Sequence, residues 1–237
     1  MNCDFTDQTY QKSSLALRPS VDLRHWCSRV ENQSNLGSCT GAAVTGAYEL
    51  ILQKQHPEKY TDLSSLFVYY NARAIESDTE QDAGAYIRSA VKAACQFGLC
   101  SEQIWPYLTE EFAQVPPVAC YQDATHRKIK NCYRLSNFAD ILDALNSDQP
   151  VMIGVALYSQ FNDIVSTDPV VKIPESGQTP IGSHAVCIVG YDQERNQLIV
   201  KNSFGPDWGM QGYFLMPFDY AKTEITDSWV FDIDLIN

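Results

Sequence analysis

The stretch Gln33-Ser-Asn-Leu-Gly-Ser-Cys39-Thr-Gly-Ala-Ala-Val passes from polar turn residues into small apolar ones, with one cysteine at the seam. Beyond it Ala42, Ala43, Ala47, Leu50 and Ile51 recur at three- and four-residue steps until His56-Pro57, which predicts a helix opening at Cys39. A thiol attacks only as thiolate. The dipoles and free N–H groups of a helix N-terminus favour the anion, so this placement predicts a depressed pKa for Cys39. Such a nucleophile also needs a base within hydrogen-bond reach and a third group to orient that base.

Four histidines are available. His25, His56 and His126 occupy a lead-in segment, a Pro-terminated helix end and a basic loop, where a solvated role suffices. His184 stands at the mouth of the apolar run Ala185-Val-Cys-Ile-Val-Gly-Tyr191, and Asn202 follows the next such run, Gln197-Leu-Ile-Val-Lys201. If residues 192–196 are a hairpin loop, positions 184 and 202 become neighbours. The Asn side chain can then accept from the imidazole and hold its tautomer. Gln33, with Gly37 permitting a tight turn, can bring its amide back toward the thiol. Beside the Cys39 N–H, that amide makes an oxyanion hole. Taken singly, each residue has a plain structural reading: a buried thiol, a core histidine, a turn asparagine, a loop glutamine. Their conjunction is what points to chemistry.

The elements needed to position these groups can be read from periodicity. Two further helices are predicted over 63–75 and 83–97, with Gly98 suited to the second one's C-terminal cap. Residues 110–121, with Pro116-Pro117, read as a loop between lobes. Beyond Cys132 a short helix over 138–145 precedes β-rich runs at 151–157, 185–191, 197–201, 212–216 and 229–233. A helical first half and a sheet-forming second half predict an α+β chain of two lobes. The expected boundaries are an N-terminal extension 1–18, a helical lobe 19–132 carrying Cys39, and a β-rich lobe 133–237 carrying His184 and Asn202. Phe5 and Tyr10 either pack the extension onto the body or leave it as a tail.

Composition narrows the function classes. At 237 residues and 45% hydrophobic, the chain can bury one large core or two modest ones. A formal charge of -12 without clustered Lys and Arg argues against nucleic acid, whose phosphates need neutralising cations. No apolar run approaches the ~18 residues of a membrane span, and the first twenty residues lack the apolar centre of a signal peptide. Eight cysteines without a Cys-x-x-Cys pair disfavour a zinc ribbon and favour secretion or another disulfide-permitting compartment. Cys120 and Cys132 flank one loop and are the first pair to consider for a disulfide. A metal shared by Cys120, His126 and Cys132 is the weaker alternative. Cys187, inside an apolar run, reads as a buried free thiol.

Together, Val21-Asp-Leu-Arg24, Gln33…Gly37-Ser-Cys39, Ser183-His184-Ala-Val, Gly190-Tyr191 and Asn202-Ser-Phe-Gly-Pro-Asp-Trp208-Gly resemble the papain-like cysteine peptidase family. The order Cys, His, Asn is that family's order, and the likeness runs from about Pro19 to the C-terminus. The resemblance implies a helical left domain, an antiparallel β-barrel-like right domain, and a cleft between them that holds a peptide. It implies Cys39 as nucleophile, His184 as general base and then acid, Asn202 as its orienting group, and Gln33 as an oxyanion donor. Peptide or protein substrates, a monomer, and no metal or organic cofactor follow. Gly84, Ser183, Phe204 and Trp208 are expected to contact substrate, with Met216 a further candidate for the pocket wall. Phe204 is also expected to cover the Asn–His pair.

Departures from the best-known members point to a divergent, microbial branch. Leu36 stands where they have a cysteine, so one family disulfide is missing. Thr40 and Phe204 stand where they have tryptophan. Two other readings remain open at this level. One is a non-catalytic relative that binds peptides in the old cleft. The other is thiol-dependent acyl transfer to an amine, in which an acidic residue usually takes the place that Asn202 fills.

Overall fold

The computed structural model describes residues 8–13 and 15–235. The helix opening at Cys39 is α1 (Cys39–Gln55), and every residue from Thr40 to Leu52 on it is buried. Small residues make this possible. Gly41, Ala42, Ala43, Gly46 and Ala47 give neighbours access on all sides, which is why the helix carries little amphipathic contrast. A Cβ at Gly41 would lie 2.3 Å from the Ser65 carbonyl oxygen, so α1 and α2 (Ser65–Ile75) cross in backbone contact. The Ser64 hydroxyl caps α2 by accepting from the Phe67 N–H at 3.1 Å. Helix α3 (Ile87–Gln96) starts later than periodicity suggests, because 82–86 are irregular with Gly84 at φ +80°. It ends where Gly98 takes φ +85°, as expected of a C-terminal glycine.

The strands are β1 (Gln8–Thr9), β2 (Ser20–Asp22), β3 (Arg127–Arg134), β4 (Val151–Leu157), β5 (Gly182–Asp192), β6 (Gln197–Lys201), β7 (Tyr213–Pro217) and β8 (Ile225–Leu235). They form one sheet of order β1-β3-β8-β4-β5-β6-β7, with β2 on β5, antiparallel except for β1 on β3. Among the described residues three more α-helices follow: α4 (Val118–Ala124), α5 (Phe138–Asn146) and α6 (Phe218–Glu224). One core fills the space between α1 and the sheet, joining Val44, Tyr48 and Leu52 to Ile188, Val200 and Trp229. A second lies on the other side of α2, around Leu36, Leu66, Phe67, Cys100 and Trp105.

Several expectations change. The segment read as an inter-lobe loop runs into α4, which starts at Val118, and β3 runs across the expected boundary at 132/133. Strand β3 escaped notice because only Ile129 and Cys132 of Arg-Lys-Ile-Lys-Asn-Cys-Tyr-Arg are buried, too few to give an apolar alternation. The described part of the extension packs on the body. Tyr10 donates to Asp143 at 2.8 Å, Lys12 pairs with Asp140 at 3.1 Å, and β1 joins the sheet. Phe5 and Cys3 lie outside the described residues. The Cys120–Cys132 disulfide is not formed: Cys120 belongs to the second core beside Cys100, Cys132 to the first, and the described cysteines form no disulfide with one another. Among the described residues no His, Cys, Asp and Glu cluster could hold a metal, and no helix is long and apolar enough to cross a membrane.

Replacing Gly41 by alanine forces α1 off α2. Gly41→Ala is expected to lower the unfolding free energy by roughly 1–3 kcal/mol, read as a lower urea midpoint with an unchanged slope. An unchanged midpoint would mean that the two helices can part at no cost.

Candidate active site

The turn before α1 is held from three directions. Leu36 is buried in the second core. The Tyr107 hydroxyl donates to the Gln33 carbonyl at 2.9 Å and is hydrogen-bonded to the Ser38 hydroxyl at 2.5 Å. The Gln33 N–H donates to the Ser203 carbonyl at 2.8 Å, which ties the turn to the sheet half of the molecule. The Gln33 side chain is clamped as well: Nε2 donates to the Leu36 carbonyl at 2.7 Å, and Oε1 accepts from the Ser203 hydroxyl. One Nε2 hydrogen is left over, since an amide nitrogen carries two.

Cys39 follows, its Sγ 3.9 Å from the Gly37 carbonyl and in hydrogen-bond range of the backbone of Ala185, the residue after His184. Burial pushes the Cys39 thiol above its ordinary pKa; backbone groups of Ala185, Thr40 and Cys39 pull against that, and the charge of Asp82 adds to the rise. The depressed value expected from the helix terminus is therefore corrected. The N-terminal amides act in the expected direction, but desolvation of a sulfur held between two walls outweighs them.

His184 is buried on β5, with Nε2 2.8 Å from the Asn202 Oδ1. Strand register explains the pairing. β5 and β6 match Cys187 with Lys201, so Asn202, one residue past the end of β6, leaves the hairpin at the end of β5 where His184 lies. Burial lowers the His184 pKa, and the hydrogen bond to Asn202 works against it. With Nε2 engaged, Nδ1 is the ring nitrogen left for proton transfer. Phe204 stacks on the imidazole at 5.1 Å between centroids, Trp208 meets Phe204 edge-on at 5.5 Å, and Phe161 meets the imidazole at 6.1 Å.

Gln33, Cys39, His184, Ser183 and Gly84 line one cleft of about 700 Å³. Its apolar lining includes Ile87, Gly154 and Ala185, and its acidic lining is Glu76, Asp78, Asp82 and Asp227, with no Lys or Arg. Phe204 and Trp208, expected to contact substrate, do not line it; they back the His184–Asn202 pair instead. Met216 is corrected too, for it is buried inside the core on β7. The four carboxylates and Gly154 carried no motif that could have revealed them. Ala185 could have been found by its adjacency to His184.

Behind the site, Lys201 is buried and donates from Nζ to the Ser28 hydroxyl at 2.8 Å, and Gly46 leaves it room. Glu49 of α1 is fully buried, with Oε1 accepting from the Leu63 N–H at 2.7 Å. Burial pushes Glu49 up to about 7, while the Lys201 charge pulls it down.

A model of the papain family of cysteine proteases matches residues 17–233. The chain belongs to this family. It is 36% identical over 227 residues to an uncharacterised peptidase C1-like protein of Acanthamoeba polyphaga mimivirus, covering 90% of this chain and 72% of that one. Pro-cathepsin H of Bos taurus is 27% identical over 235 residues, covering 91% of this chain and 64% of the relative. The crystal structure of xylellain, a cysteine protease from Xylella fastidiosa, superimposes with a TM-score of 0.87 at 31% identity, covering 98% of this chain and 92% of that one. The protein is thus a papain-family cysteine protease, a hydrolase of peptides or proteins with the expected α+β fold. Its viral and bacterial relatives fit the divergent, microbial branch indicated by Leu36 and Thr40.

The raised Glu49 value sets a pH dependence of stability. Folding favours the protonated acid, so its contribution is complete below the unfolded value of 4.5 and is lost as pH rises through about 7. Between pH 5 and 8 the family member should lose roughly 3 kcal/mol on this account. Glu49→Gln should remove most of that slope in urea unfolding; an equal slope in both proteins would place the titration elsewhere.

Proposed function

We propose that this protease cleaves peptide bonds with Cys39 as nucleophile, His184 as general base and acid, Asn202 as the orienting group and Gln33 as an oxyanion donor. One observation carries the reading: the His184–Asn202 hydrogen bond at 2.8 Å sits on a cleft whose other lining includes Cys39 and Gln33. Burial resists a thiolate alone and an imidazolium alone. Moving the proton from sulfur to Nδ1 makes both charges at once within one cleft, so each stabilises the other.

The thiolate attacks the scissile carbonyl, and the negative oxygen is received by the Cys39 N–H and the spare Nε2 hydrogen of Gln33. The imidazolium then gives its proton to the leaving amine, and the acyl group remains on sulfur as a thioester. Water enters, loses a proton to His184 and attacks the thioester; the acid leaves and the thiol is restored. The backbone at Gly84 and Ser183 is suited to pairing with an extended substrate, as in strand addition. In this reading the helical lobe 19–132 and the β-rich lobe 133–237 supply opposite walls. All of the working groups come from one chain, which supports action as a monomer. A disulfide-permitting compartment rests on cysteine number alone, as the described cysteines form no disulfide.

A peptide-like epoxide is the direct probe. It should label Cys39 stoichiometrically by mass spectrometry, fail on Cys39→Ala, and react far more slowly with His184→Ala. Labelling of the folded protein at another cysteine, or none at all, would overturn the assignment. Gln33→Ala should lower kcat by about 10²–10³ with little change in KM; a pure KM effect would remove Gln33 from the oxyanion role.

A further inference from the structure

Leu36 stands where the family's best-known members have a cysteine, so the turn carrying Gln33 and Cys39 lacks that covalent tether. Another group occupies this mechanical position. The Gly37 N–H, two residues before the thiol, donates to both carboxylate oxygens of Asp82, at 2.9 and 3.1 Å. The Tyr69 hydroxyl donates to Oδ1 of the same carboxylate at 2.5 Å and itself accepts from the Gly84 N–H at 3.2 Å. A continuous chain of hydrogen bonds thus runs from Gly84 through Tyr69 and Asp82 to Gly37. The two backbones it joins are already in contact, for a Cβ on Gly37 would lie 3.1 Å from the Gly84 nitrogen.

The carboxylate is itself held in place. Arg73, one turn beyond Tyr69 on α2 and fully buried, stacks its guanidinium 4.2 Å from the Tyr69 ring centroid. Its Nη1 donates to the carbonyls of Thr79 and Gln81 at 2.8 and 2.9 Å, fixing the backbone that delivers Asp82.

We propose that Asp82 is a positioning residue for peptide cleavage, clamping the Gln33–Cys39 turn to the Gly84 segment. The proposal rests on the reading of Cys39 as nucleophile. A purely electrostatic role for Asp82 would be counterproductive, since a negative charge here opposes formation of the thiolate. Glu76, Asp78 and Asp227 line the same cleft and add charge of the same sign; His184 also lines it, and Tyr107 is a further titratable group near the thiol. A carboxylate that hinders ionisation yet receives two donors, one of them shared between both of its oxygens, is explained by what it holds. Asparagine separates the two effects, because one amide oxygen can accept from both Gly37 and Tyr69 without the charge.

The test measures kcat, KM and the pH profile of kcat/KM for wild type, Asp82→Asn, Asp82→Ala and Tyr69→Phe, with epoxide labelling of Cys39 alongside. Asp82→Ala should lower kcat at least about tenfold while KM changes less, and Asp82→Asn should recover most of that loss. Both should move the acid limb to lower pH by about 0.3 unit or more, which a merely structural loss would not do. Equal kcat in the Asn and Ala variants, or wild-type kcat in the Ala variant, would overturn the clamp. If Asp82→Ala does not fold, Tyr69→Phe decides: it removes both Tyr69 hydroxyl bonds, to Asp82 and to Gly84, but leaves Asp82 on Gly37, so it should show a smaller kcat loss, and none would sink the proposal. Wild type that is active but unlabelled at Cys39 would instead refute the nucleophile assignment. The clamp would then be judged by hydrogen exchange at the Gly37 amide, slow in wild type and Asp82→Asn and fast in Asp82→Ala; equal exchange in all three would reject it.

Discussion

The hydrogen bond between His184 and Asn202 is the constraint on which the rest of the site depends. It joins a side chain of β5 to that of the residue just past the end of β6, so it exists only if the two strands hold one register; a one-residue slip of β6 would turn its side chains to the other face. It also lies under an aromatic cover, with Phe204 stacked on the ring and Trp208 and Phe161 behind. Removing water strengthens a polar pair but makes an unmade bond costly. The imidazole therefore has one orientation, and its Nδ1 has one direction in which to act.

The opposite wall solves a different problem. The proposed nucleophile, at the tip of a helix, is only as well placed as the turn leading into it. Here that turn has no covalent anchor, and polar contacts hold it instead: Tyr107 and Ser203 on one side, Asp82 on the other, with Leu36 buried beneath. Buried Lys201 and Glu49 sit where α1 meets the strand that delivers Asn202. Both walls are thus rigid, and the cleft between them, acidic and without lysine or arginine along its lining, meets a substrate with a field already set.

Strand β4, α1 and the β5–β6 hairpin were legible because their side chains face apolar surroundings over many residues, leaving long apolar runs in the chain. Strand β3 and helix α4 were not. The first buries two side chains and the second spans a single short stretch behind two prolines, so neither leaves a period to read. The supposed Cys120–Cys132 bridge failed for a related reason: proximity along the chain says nothing about which core a thiol enters, and these two enter different ones.

By itself the sequence singled out the candidate residues of the site. Cys39, His184, Asn202 and Gln33 could be chosen because nucleophile, base, orienting group and oxyanion donor are properties of residue type and of local position at helix and strand ends. What only the tertiary structure decided was the environment: that burial outweighs the helix terminus at Cys39, that Phe204 and Trp208 stand behind the imidazole, and that Asp82 reaches Gly37. Desolvation and long-range contact depend on which distant segments close around a group, and no local pattern along the chain encodes that.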